Sequence, residues 1–222
     1  RRRSGIRGPE QVKSWRQFNG MGTAMQPGND VRKEALEQWV SEQVGRPVSG
    51  EPASADASFR RYFRFDLGDR TLIGMDAPPE KEDCRPFIRV AGLFGDAGVH
   101  VPHIIASDLK QGFLLLPDLG TETWLTVLNA DNADTLFNKA MDALVRIQRI
   151  SQPNVLPVYD EALLRRELEL FPEWYLGRDR GLVVEDGLRE RLDQVFDLLV
   201  SRALAQQQVY VHRDFMPRNL MD

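Results

Sequence analysis

The chain has one cysteine, Cys84, among 222 residues, so it cannot form an intrachain disulfide and suits a reducing compartment. It has no apolar run near the ~18 residues that a membrane-spanning helix needs. Positive charge is not in excess. The 29 Lys and Arg face 33 Asp and Glu, a net charge of −4, which argues against a general nucleic-acid or anionic-membrane binder. These absences leave the cytoplasm as the expected location, with no nucleic-acid partner and no membrane partner. Two phosphate-binding signatures are missing as well, G-x-x-x-x-G-K-[ST] and G-x-G-x-x-G. There is no internal repeat and no low-complexity tract. Core material is plentiful: at 42% hydrophobic residues, the chain can bury one or two compact lobes.

Residues 1–24 differ from the rest. Arg1, Arg2, Arg3, Arg7, Lys13 and Arg16 face only Glu10, with Gly and Ser scattered among them and no apolar h-region. That excludes a secretory signal, and an organellar transit segment would want a clearer amphipathic helix. The expectation is a disordered or extraneous leader ahead of a start at Met21 or Met25.

From there the pattern is structured. Asn29-Asp30 precedes a helical repeat of Val31, Ala35, Leu36, Trp39, Val40 and Val44 that ends at Gly45. Tyr62 to Leu67 alternates like a strand, Gly68-Asp69 turns, and Arg70 to Met75 returns as its hairpin partner. Glu82 to Ala97 reads as an amphipathic helix with Pro86 in its first turn and Gly98 closing it. Two apolar strands are predicted next, Val101 to Ala106 and Gly112 to Leu116. Beyond Pro117 the periodicity is helical: Asp134 to Ile150, with Leu136, Phe137, Ala140, Met141, Leu144 and Val145 on one side; Asp160 to about Leu170, broken or kinked at Phe171-Pro172; and a segment marked by Leu188, Leu192, Val195, Phe196, Leu199 and Val200.

Near the end stands His212-Arg213-Asp214-Phe215-Met216-Pro217-Arg218-Asn219, led in by the apolar Val209-Tyr210-Val211 as by a buried strand. This is the H-R-D-x-x-x-x-N pattern of protein-kinase catalytic loops. Its spacing has a chemical reason. The Asp reaches an acceptor hydroxyl as a base, while the Asn carbonyl turns back to a phosphate-bound Mg²⁺. Asp214 is therefore the candidate catalytic residue and Asn219 the candidate metal ligand, with ATP and Mg²⁺ as cofactors. Where protein Ser/Thr kinases usually carry Lys, two residues after the base, this chain has Met216, which points away from a protein acceptor.

The fold class that follows is α+β: a two-lobed, protein-kinase-like fold with a small antiparallel-sheet N-lobe and a helical C-lobe, the C-lobe incomplete. The expected division puts the nucleotide-binding N-lobe at 25–118 and the partial helical C-lobe with the catalytic loop at 119–222. In the N-lobe, Ala53 to Phe63 occupies the place of a phosphate-covering loop. Its small side chains allow backbone approach, Ser54 and Ser58 can donate, and Arg60 or Arg61 can neutralise charge. The third strand, Leu72-Ile73-Gly74-Met75-Asp76, lacks the Lys that protein kinases use there to hold phosphates. Lys81, Arg85, Arg60 and Arg61 remain as substitutes, and Asp76 is either structural or orients one of them. Leu114 to Gly120 reads as a nucleotide hinge with Leu116 and Asp118 as cofactor-binding candidates, although an ordinary core strand and turn would use the same residues. Arg165 to Leu176 gathers carboxylates and aromatics. Glu167 and Glu169 suit sugar hydroxyls and Trp174 suits a sugar ring, or else Trp174 plugs the core of a solvated helix. Two residues apart, Glu167 and Glu169 face different sides of a regular helix, so at most one of them grips the sugar.

Taken together, Ser54–Phe63, Met75-Asp76-Ala77-Pro78-Pro79-Glu80, Leu115–Gly120, Glu167–Leu176 and the catalytic loop resemble the aminoglycoside-phosphotransferase-like kinases. Within them the chain is most similar to the bacterial anomeric amino-sugar kinases, over residues from about 31 onward. The resemblance implies ATP-dependent phosphorylation of the C1 hydroxyl of N-acetylmuramate or N-acetylglucosamine by a monomer, in cell-wall sugar recycling. A muramate carboxylate would look for Arg165, Arg166 or Arg178. The resemblance also implies a strand beyond the loop with a metal-binding Asp, then further helices, so the polypeptide reads as a truncated kinase. An aminoglycoside or choline-type kinase, and a non-catalytic kinase-like module, stay open beside this reading.

Overall fold

The computed structural model describes residues 30–55 and 59–221, so the expected leader at 1–24 and Ser58 lie outside the described residues. Helix α1, Val31–Val44, starts where Asp30 accepts a hydrogen bond from the Lys33 N–H, and it stops at Gly45 in the left-handed region (φ 72°). A five-stranded sheet follows, β1 Gly50–Ala55, β2 Arg61–Asp66, β3 Thr71–Asp76, β4 Ala106–Asp108 and β5 Phe113–Pro117, in the order β1-β2-β3-β5-β4 with every neighbouring pair antiparallel. The predicted hairpin is β2–β3, in register from Arg61 opposite Asp76 to Asp66 opposite Thr71.

Two layers cover the sheet. On one face Leu36, Trp39 and Val40 of α1 bury against Phe63, Phe65, Leu72, Phe113 and Leu115. Gly74 is required there: a Cβ would stand 2.6 Å from the Phe65 ring. On the other face helix α2, Cys84–Asp96, capped by Asp83, covers Met75, Leu114 and Leu116, with Phe87 and Ile88 packed alongside.

The helical part comprises α3 Trp124–Val127, α4 Ala133–Arg149, α5 Glu161–Leu170, a π-helical stretch Phe171–Asp179, α6 Asp186–Leu204 and a 3₁₀ turn Pro217–Asn219. No helix among the described residues is long and apolar enough to cross a membrane.

Five local expectations are corrected. Ala53, Ser54 and Ala55 belong to strand β1, which the sequence did not announce. The strand predicted at Val101 to Ala106 is only Ala106–Asp108, because Pro102 has no N–H for a ladder, and Val101 and Ile104 pack as loop residues. The α-helix ends at Leu170 as expected, but the chain does not break at Phe171-Pro172. It winds on as a π-helix, whose wider turn relieves the clash a proline ring makes with the carbonyl four residues back. On α4 the buried stripe is Leu136, Ala140 and Ile147, while Phe137 and Met141 of the predicted face are exposed. Val209 to Val211 is no strand: the Tyr210 N–H donates to Ser151 Oγ at 2.8 Å, and the Tyr210 ring packs with Phe94 and Ile147.

Candidate active site

The catalytic loop is held from three sides. The His212 ring stacks on Phe94 of α2 (centroids 6.0 Å apart) and meets the edge of Phe215 at 5.3 Å. Burial lowers its pKa, against a smaller opposing pull from Asp214, so the imidazole is neutral and acts as a packing block. Phe215 and Leu220 pack against Trp124, Leu136 and Ala140, and Leu220 accepts a hydrogen bond from the Trp124 N–H at 2.8 Å. Arg213 is the third fixing point. It adopts φ 71°, a conformation that costs a non-glycine residue roughly 1–3 kcal/mol. Its guanidinium donates to Glu167 Oε1 at 2.8 Å and lies over the Tyr159 ring at 5.4 Å. The loop is thereby tied to α5 on one side and to α2 on the other.

Asp214 and Asn219 come together as their spacing predicts. Asn219 Nδ2 donates to Asp214 Oδ2 at 2.7 Å and to the Asp214 carbonyl at 2.9 Å, and the Asn219 N–H closes the 3₁₀ turn on Met216 O. Both side chains are exposed. With its nitrogen committed to Asp214, the Asn219 amide directs Oδ1 the other way, and that oxygen is the atom able to ligate a hard cation. Magnesium is commonly held by one or two protein oxygens together with phosphate and water, so this donor fits it. Among the described residues no group of three or more His, Cys, Asp and Glu is arranged to hold a metal by itself.

The acceptor candidates separate by face. Glu167 reaches the catalytic loop through Arg213, whereas Glu169 turns to α6, where Arg189 donates to it at 2.7 Å and holds its carboxyl below the usual range. Trp174, on the π-helical stretch, is half-exposed under the Arg178 guanidinium, 3.8 Å from the indole centroid, and Arg178 also donates to Glu173 at 3.0 Å. Arg165 is engaged by Glu161 and Asp197, both at 2.7 Å.

The N-lobe candidates separate in the same way. Ser54 stands opposite Tyr62 in the β1–β2 ladder. Arg60 and Arg61 diverge. Arg61 is gripped by Asp76, fully buried at 0% exposed, and by Asp30, while Arg32 reaches the same Asp76 carboxylate at 2.8 Å. Asp76 thus holds one of the candidate cations, Arg61, together with Arg32 on the α1 side. Arg60 instead meets Glu82 at 3.4 Å, at the head of α2. Leu116 is buried in β5 opposite Ile73. Asp118 receives both Arg64, at 2.5 Å and 3.0 Å, and the Gly120 N–H, and Arg64 also donates to the Gly120 carbonyl. The Arg64 guanidinium is the main reason its carboxyl is lowered to about 2, against the opposing effect of burial. The turn after β5 is thus braced by its own acid. Two contributors were missed, Glu82 and Tyr159; each acts through partners far away in sequence, so no local signal marks it.

An antiparallel five-stranded sheet lies beside helices, and the Asp–Asn loop packs against those helices. Residues 49–221 match the model of the phosphotransferase enzyme family, and the chain belongs to that family. It is similar to the N-acetylmuramate/N-acetylglucosamine kinase of Pseudomonas aeruginosa, 58% identical over 87% of this chain and 60% of the relative. The protein of the same name from Pseudomonas putida is 52% identical over 88% of this chain and 61% of the relative. That from Neisseria meningitidis serogroup B is 41% identical over 76% of this chain and 52% of the relative. The chain therefore spans about 60% of the length of the two Pseudomonas relatives.

Proposed function

We propose that this protein transfers the γ-phosphoryl group of ATP to the anomeric hydroxyl of N-acetylmuramate or N-acetylglucosamine, in cytoplasmic recycling of cell-wall sugars. The Asp214–Asn219 hydrogen bond carries this reading, because it joins the loop carboxylate to the amide nitrogen and turns the amide oxygen outward, toward where a phosphate-bound cation would sit. The names of the relatives supply the acceptor class.

In this reading Asp214 accepts the proton of the C1 hydroxyl as its oxygen bonds to the γ-phosphorus. The bond from that phosphorus to the β,γ-bridging oxygen breaks, and ADP leaves with the electron pair. Asn219 Oδ1 would hold Mg²⁺, which would neutralise charge on the phosphates. Ser54, Ser58 and the backbone around them cover the phosphates, and the hinge at Leu116 to Asp118 receives the base through its main chain. Glu167 is the sugar-binding carboxylate, since its tie to Arg213 keeps it beside the base. Glu169 serves α6.

The test is an acceptor panel with ATP and Mg²⁺. Free N-acetylmuramate and N-acetylglucosamine should be phosphorylated, and their methyl glycosides, which lack a free anomeric hydroxyl, should bind without reacting. Transfer to kanamycin-type hydroxyls or to choline, with none to free amino sugars, would replace the sugar assignment by another small-molecule kinase.

A further inference from the structure

Phosphoryl transfer asks for a cation on the donor's phosphates, and in protein kinases a third-strand lysine supplies it, aimed by a glutamate on the adjacent helix. Here the β3 side chains that face α2 are Ile73 and Met75, which pack into an apolar cluster with Phe87, Leu114 and Leu116. No cation can come from that strand.

The alternation of a strand decides which neighbour replaces it. Consecutive residues point to opposite faces. Arg61 points to the α1 face and is locked there by Asp76 and Asp30. Arg60 lies on the α2 face, its guanidinium 6.0 Å from the centre of the Phe87 ring and beside the Tyr62 phenol. It therefore stands over the cluster formed by the third-strand side chains. Glu82 then does two things with one carboxylate. Oε2 meets Arg60 at 3.4 Å, and Oε1 accepts the Phe59 N–H at 3.3 Å. The backbone leaving the β1–β2 connection and the cation beside it are fixed to the head of α2 by the same side chain. A guanidinium carries five N–H donors and can serve a carboxylate and a phosphate together.

We propose that Arg60 binds the donor's α- and β-phosphates in place of a third-strand lysine, and that Glu82 is the positioning residue that aims it and ties the β1–β2 connection to α2. This rests on the kinase reading above. Arg60–Glu82 thus stands in for a lysine–glutamate pair, with the cation next to β2 and not on β3.

The test compares ADP with adenosine, because only ADP presents phosphates to Arg60. Affinities are measured by titration calorimetry on the chain and on Arg60→Ala, Arg60→Gln and Glu82→Gln. Arg60→Ala should weaken ADP by about tenfold or more and adenosine by less than about twofold, as loss of one charge-assisted contact implies. Arg60→Gln retains part of the side-chain stem without the charge and should give the same split, which covers the case in which the alanine variant does not fold. Glu82→Gln should weaken ADP about threefold to tenfold, and should add nothing in an Arg60→Gln background if it acts through Arg60. Equal losses for ADP and adenosine, or unchanged ADP affinity in Arg60→Gln, would overturn the assignment and leave the pair as a structural ion pair. If the unsubstituted chain binds adenosine and ADP equally, the assignment of Arg60 fails while nucleotide binding stands. If it binds neither, the kinase reading fails and takes this inference with it.

Discussion

Both faces of the sheet carry an arginine set on a carboxylate, and the two pairs differ in every respect that matters. On the α1 face Asp76 is wholly buried and receives two arginines, Arg32 and Arg61, with Asp30 closing the far side of Arg61. On the α2 face Glu82 is 17% exposed, its distance to Arg60 is 3.4 Å, and it also holds a backbone N–H. A buried carboxylate is expensive to leave unpaired, so the first cluster is tied to folding. The second carboxylate meets a single arginine, at 3.4 Å, so losing that contact should cost the fold less. Neighbouring residues in sequence, Arg60 and Arg61, thus fall into different roles because a strand turns them to opposite sides.

The comparison can be broken at several points. The largest effect belongs to the catalytic loop: Asp214→Asn should cut turnover by about 10²–10⁴-fold in a coupled assay while leaving ADP affinity nearly unchanged. Next, Asp76→Ala should cost about 3 kcal/mol in urea unfolding, since it strands two arginines, whereas Glu82→Gln should cost less than about 1 kcal/mol. A Glu82 variant as unstable as the Asp76 variant would erase the distinction between the faces.

Asp118 sharpens it further. Its folded pKa of about 2 lies below the ordinary 3.8, so its pairing with Arg64 stabilises the fold above pH ~4 and is lost as pH falls through about 2. The difference corresponds to about 2 kcal/mol at neutral pH. Asp118→Asn should therefore lower neutral stability by that amount and flatten the acid limb of the stability profile, followed by unfolding at stepped pH. The smallest effect concerns the acceptor side: Glu167→Ala should raise the KM for sugar about fivefold with the KM for ATP unchanged, while Glu169→Ala should stay within about twofold on both.

Elements with local punctuation were legible in advance. Asp30 and Gly45 bracket α1, Gly68-Asp69 sets the β2–β3 hairpin, and Asp160 starts α5, accepting a hydrogen bond from the Leu163 N–H at 2.9 Å. Strand β1 was not legible, because Gly50-Glu51-Pro52-Ala53-Ser54-Ala55 has no apolar alternation and is a strand only through its pairing with β2. The π-helix was half legible: Pro172 forbids a regular helix, but whether a chain breaks or widens there depends on packing, here including Phe171 stacked on Tyr175 at 5.4 Å. In the site, the divergence of Glu167 from Glu169 follows from spacing, while the Asp214–Asn219 hydrogen bond is seen only in the folded loop. The role of Glu82 does not, since it depends on where α2 lies against Phe59 and Arg60, 23 and 22 residues away.

The most direct measurement of the account follows the product itself. N-acetylmuramate labelled with ¹³C at C1 is incubated with the protein, ATP and Mg²⁺, and the product is read by phosphorus and carbon NMR. The account predicts one phosphate, coupled to the labelled C1, formed in step with ADP and absent with Asp214→Asn. A phosphate on any other carbon, or a C1 phosphate that still forms at the same rate with Asp214→Asn, would contradict it.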